Sequence, residues 1–131
     1  MECKEIDEEL FNKYPELLKQ YKLSPQETCL CWGILPGPGW KHIVEDMCKE
    51  LEAFRKEKDN SFCLSQSKEK FGYLRVYFEP YYEEAQKIIN KYEINSGVTC
   101  IRCGKPGTMR SKGWVRCHCD TCEEAYLKGK R

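Results

Sequence analysis

The chain has 131 residues, a formal charge of +1 at pH 7, 33% charged and 40% hydrophobic residues. That is one domain's length, enough for one modest core and too short for a two-domain dehydrogenase or a barrel enzyme. No apolar run approaches the ~18 residues of a membrane span, and the acidic opening MECKEIDEEL does not read as a signal peptide, so a cytoplasmic protein with no membrane partner is expected.

In chain order, Ile6, Leu10, Tyr14, Leu17, Leu18 and Tyr21 keep a helical spacing. Pro15 interrupts it, which predicts a short acidic helix ending near Lys13 and a new turn from Pro15. Ser24-Pro25-Gln26-Glu27 combines a capping serine, a proline at the first helical position and a glutamate three after the cap, and predicts a short helix that stops at Gly33. Leu35-Pro36-Gly37-Pro38-Gly39 is a constrained loop. Residues 40–54 read as the longest helix, with Trp40, Ile43, Val44, Met47, Cys48, Leu51 and Phe54 on one face and Trp40 as its core anchor.

Phe62 and Leu64 alternate with Cys63 and Ser65, and Leu74, Val76 and Phe78 alternate with Tyr73, Arg75 and Tyr77, which predicts an antiparallel hairpin with the polar Ser67-Lys68-Glu69-Lys70 stretch and Gly72 between its strands. Pro80 is expected to open a further helix with Tyr81, Ala85, Ile88, Ile89 and Tyr92 as its stripe, closed by Asn95 or Gly97. The fold class expected is α+β: a small antiparallel sheet covered by helices over residues 1–96. A C-terminal zinc ribbon over residues 97–131 packs with it as one compact unit.

Ten cysteines need a reason, and five of them (Cys100, Cys103, Cys117, Cys119 and Cys122) crowd into the tail. Cys100-x2-Cys103 and Cys119-x2-Cys122, fifteen residues apart, have the spacing of a four-cysteine zinc site. One structural Zn²⁺ is therefore expected on Cys100, Cys103, Cys119 and Cys122, with a short hairpin between the knuckles. Four sulfurs fill the tetrahedron and leave no position for a reactive water, so a catalytic zinc is disfavoured. Cys117 stays open as a substitute ligand or a packed thiol. His118 stays open as a ligand, a hydrogen-bond partner of a ligand sulfur, or a solvent-facing side chain.

Three groups of motifs together resemble a family of small proteins carried by bacteriophages and prophages. They are Gly37-Pro38-Gly39-Trp40, then Lys68-Glu69-Lys70-Phe71-Gly72-Tyr73-Leu74-Arg75, and finally Cys100-Ile101-Arg102-Cys103-Gly104-Lys105-Pro106-Gly107 followed by Gly113-Trp114-Val115-Arg116. The resemblance implies a phage setting, with the host cytoplasm as compartment. It also implies ribbon ligands at Cys119 and Cys122, where the family has Cys-x2-His; the chain departs by carrying Cys122 for that histidine and Cys117-His118 for a Thr-Leu pair. The resemblance supplies no activity.

Charge is uneven. Residues 1–96 hold 14 Lys/Arg against 18 Asp/Glu, or −4, and residues 97–131 hold 8 against 3, or +5. A zinc with four thiolates adds −2 to the tail, which weakens a nucleic-acid reading made from charge alone. Candidate contact residues are Lys68, Lys70, Tyr73 and Arg75 on the first hairpin and Arg110, Lys112, Trp114 and Arg116 on the ribbon. Arg75 between Tyr73 and Tyr77 has the makings of an anion grip. The ribbon cations with Trp114 could follow a phosphate backbone. No nucleophile–base pair or phosphate-cradling loop stands out. The expected function is a non-catalytic phage-type accessory protein that binds a host protein and modulates defence, with a homodimer as an open possibility. Nucleic-acid binding through the ribbon and sequestration or cleavage of a small phosphorylated ligand are the alternatives.

Overall fold

The computed structural model describes residues 2–129. Helix α1 (Cys3–Lys13) is closed at its start by a capping box between Glu2 and Glu5 and buries Ile6, Asp7 and Leu10. It ends at Lys13 as its sequence predicts, and a tight turn and a 3₁₀ segment (Lys19–Lys22) follow Pro15. The helix expected from Ser24 does not form. The amides of Glu27 and Thr28 close a single turn onto the Ser24 carbonyl, while the Thr28 hydroxyl accepts from the Leu30 amide and donates to Gln20. A side chain that captures a main-chain amide in this way competes with helix propagation, and only a 3₁₀ turn (Leu30–Trp32) follows.

A second 3₁₀ turn (Pro38–Trp40) leads into α2 (Lys41–Lys58), whose buried side runs Ile43, Val44, Met47, Cys48, Leu51 and Phe54. Trp40 is fully buried ahead of it. Strands β1 (Cys63–Lys70) and β2 (Tyr73–Glu79) pair antiparallel, with a bulge between Leu64 and Gln66. Phe62, Leu64, Leu74 and Val76 enter the same core as α2, and Tyr73, Arg75 and Tyr77 share the outer face.

Two strands alone leave two unpaired edges, a liability for a small sheet. Both are covered here. The Leu64 amide donates to the Leu17 carbonyl, and Ser67 and Thr28 tie β1 to residues 28–34. On the β2 side, Ser96 and Glu93 of α3 (Glu83–Ser96) accept from the Leu74 and Val76 amides. Helix α3 begins at Glu83 rather than at Pro80, since Tyr82 just before it is still extended. Tyr82 then holds the helix entry, its hydroxyl on Asp59 and its ring against Phe54. Tyr81, expected on the buried stripe, lies before the helix and is exposed.

The tail forms a second two-stranded sheet, β3 (Thr108–Arg110) with β4 (Arg116–His118), and then a helix, α4 (Asp120–Gly129). The α+β class is as the sequence predicts; α4 is an addition to it. Among the described residues no helix is long and apolar enough to cross a membrane.

Candidate metal centre

The first knuckle hangs from the end of α3 and is seated by the body. The Cys100 carbonyl accepts from the Gly104 amide, and Gly104 adopts φ +84, a conformation glycine enters at little cost. Gly39 lies directly against this turn: its amide donates to the Ile101 carbonyl at 2.7 Å, and an added Cβ would fall 2.1 Å from the Cys100 carbonyl oxygen. The Trp40 indole N–H donates to the Thr99 carbonyl at 2.9 Å. The Gly-Pro-Gly-Trp sequence is thus the cradle of the knuckle, and its second glycine is needed for close approach.

The second knuckle spans the start of α4. Cys119 precedes the helix, Cys122 lies in its first turn, and the Cys122 amide donates to the Cys119 sulfur. The free amides and positive dipole end of a helix favour a thiolate there. The sulfurs of Cys100, Cys103, Cys119 and Cys122 all lie within 4.8 Å of one another. Tetrahedral zinc–thiolate geometry sets sulfurs about 3.8 Å apart, so the four are close enough to bind one metal ion.

The protonation pattern fits the same conclusion. Burial pushes the Cys100 thiol up, but amides of Cys119, Cys103 and Arg102 outweigh it and hold the group at about 7. Burial and then the neighbouring sulfurs push Cys122 up to about 12. Four thiolates this close cannot all ionise unless a cation joins them.

Cys117 and His118 have definite places outside this set. Cys117 is buried, with its thiol donating to the Gly97 carbonyl, and is a packed thiol. His118 is 4% exposed, so it does not face solvent. Its Nδ1 lies 3.0 Å from Glu123 and its ring meets the edge of Tyr126.

Behind the ligands stands a charged network that the sequence did not announce. Arg116, only 5% exposed, grips both carboxylate oxygens of Glu123, and it donates to the carbonyls of Lys112 and Trp114. Its guanidinium also lies 4.2 Å from the Tyr126 ring centre. The paired guanidinium drives the Glu123 carboxyl down to about 2. Arg110 turns the same way, donating to the His118 carbonyl and to Asp120 at 2.8 Å. Arg110 and Arg116, both candidate nucleic-acid contacts, each pair with a carboxylate of α4: Arg116 is buried on Glu123, and Arg110 meets the exposed Asp120. The Cys119-x2-Cys122 spacing marks a knuckle but not the helix that carries Asp120, Glu123 and Tyr126. The signal available was an acidic first turn and a late lysine after Cys119, a helix signature.

The first hairpin's candidates lie apart from the metal centre. Arg75 sits across from Lys68 and over the Tyr73 ring. Glu93 lies 3.9 Å away and lines the same shallow depression as Tyr73, Arg75 and Asn90. A carboxylate there opposes an anionic ligand. Lys68 stands over Tyr77 and Lys70 over Phe71. Lys112 and Trp114 remain at the surface, Trp114 at 73% exposure. No family model, curated protein or solved structure matches the chain.

Proposed function

We propose that this protein is a non-catalytic binding protein, a phage-type accessory factor that docks on a host protein and modulates its action. One structural Zn²⁺ on Cys100, Cys103, Cys119 and Cys122 fixes its shape. Four protein sulfurs complete the zinc coordination, and the ion's contribution is to lock the ribbon and α4 together.

The observation that carries the reading is where the large apolar side chains lie. Trp32, Phe71 and Trp114 are 77%, 68% and 73% exposed. They border neighbouring depressions that share Glu69 and run from the 3₁₀ turn at Leu30–Trp32, past the first hairpin, to the ribbon. Solvated tryptophan and phenylalanine on well-held turns are what a protein interface uses as anchors. Arg110 and Arg116 each pair with a carboxylate of α4, which lowers the positive charge that the ribbon strands offer a long phosphate backbone.

The test is quantitative capture from bacterial extract with the zinc-loaded chain as bait. A saturable protein partner, kept after nuclease treatment and lost with a Trp32→Ala/Trp114→Ala double variant of unchanged zinc content, is expected. A partner that vanishes with nuclease, or capture that never saturates, overturns the reading.

A further inference from the structure

The turn joining β1 to β2 breaks a local rule. It is a two-residue loop, Phe71-Gly72, with both residues at positive φ (53 and 88). Such hairpin turns favour Asn-Gly or Gly-Gly, because a bulky residue in the left-handed region is sterically penalised. Here the first position holds a phenylalanine, and its ring is mostly in water, so core packing does not compensate for the backbone conformation. A strained, exposed aromatic with no packing return is the kind of exception that function leaves in a sequence.

What the ring faces is also built. Phe71 and Trp114 line one groove of about 310 Å³ with Glu69, Lys70, Gly113 and Val115. The tip of the first hairpin packs onto the strands of the second. Gly72 lies so near Met109 that an added Cβ would sit 2.2 Å from its sulfur. The loop carrying Trp114 is held through its Lys112 and Trp114 carbonyls by Arg116, which Glu123 anchors one residue after the ligand Cys122. The metal centre therefore preorganises one wall of the groove, and rigid anchors lose less entropy on binding.

We infer that this groove is the docking site for a large apolar side chain on an acidic segment of the partner protein. The apolar part follows from the two rings and Val115; the acidic part follows from charge. Lys70 lines the groove, and Lys112 immediately precedes Gly113. The one lining carboxylate, Glu69, already accepts the Gly72 amide at 2.6 Å. The inference rests on the protein-docking reading above and adds the site and the partner's chemistry.

The experiment selects a random displayed peptide library on the zinc-loaded full chain, then titrates a synthetic enriched peptide while following the Trp114 indole resonance. Enriched peptides are expected to place a large apolar residue among Asp and Glu, to shift that resonance, and to bind more weakly as salt is raised. Phe71→Asn and Trp114→Ala are each expected to weaken binding at least about tenfold. Phe71→Asn suits the turn better than phenylalanine, so its melting temperature should not fall and lost binding cannot be laid to unfolding. Enriched peptides that bind both variants like wild type overturn the groove and leave protein docking standing. Selection that enriches nothing over the Trp114→Ala control also overturns the groove. An oligothymidylate that shifts Trp114 where no peptide does overturns both.

Discussion

Asp7 shows how much one carboxyl can report. It is buried on α1 and its Oδ1 accepts the Leu35 amide at 2.8 Å, tying the helix to the loop that carries Gly37 and Gly39. Burial raises its pKa, and the amides of Leu35 and Ile34 offset only part of the rise. The folded state thus keeps this proton to higher pH than the unfolded chain does. Stability from the group is fullest below the ordinary value of about 3.9 and declines as pH climbs through the raised folded value. Asp7→Asn keeps an acceptor without the charge, so its stability relative to wild type should improve from acid to neutral pH in denaturant titrations. Asp7→Ala leaves the Leu35 amide without its buried acceptor and should lose about 1–3 kcal/mol. At the hairpin tip the sign reverses: Phe71→Asn should gain about 1 kcal/mol by removing a bulky residue from the left-handed region.

The elements show which sequence signals were legible and why others were not. Helix α2 and the β1–β2 hairpin follow from apolar periodicity, since their inner faces are the core itself. The four sulfurs of the metal centre follow from spacing, because a knuckle is a local turn. Pairing between distant charges is not local, and a count of lysines and arginines could not show that Arg116 is buried on Glu123. The Gly-Pro-Gly loop was legible as a turn, while its purpose depended on a contact with residues 100–104, far along the chain. That purpose has a measurable consequence. Gly39→Ala places a methyl group against the Cys100 carbonyl and the Gly104 amide, so backbone must move. A loss of about 1–3 kcal/mol, with weaker metal retention in competition against a chelator, is expected. Alanine at Gly129, where an added Cβ meets nothing within 4 Å, should change neither.

Across the whole molecule the two halves are stabilised by different physics. The body buries a continuous apolar cluster from Ile6 to Ile89, whereas α4 has no buried residue among those described and β3 and β4 are three residues each. Short strands and a ten-residue helix are marginal in water without help. A structural zinc site supplies about 10–16 kcal/mol of apparent binding energy, and a zinc on the four cysteines, as proposed, would place that energy on the half with the least core. Chelation should therefore unfold the molecule in part. Hydrogen exchange should lose protection across residues 100–129 and keep it in α2, β1 and β2. Far-UV circular dichroism should lose about the helix content of α4 alone. Trp40 sits on the seam, with its ring in the core and its N–H on Thr99, so its fluorescence should shift slightly while the body holds. Cys119→Ser should reproduce the chelated state, and Cys117→Ser, which alters only a packed thiol, should retain one zinc per chain. Loss of protection in α2 on chelation would mean instead that the knuckle, through Gly39 and Trp40, is the keystone of the entire fold.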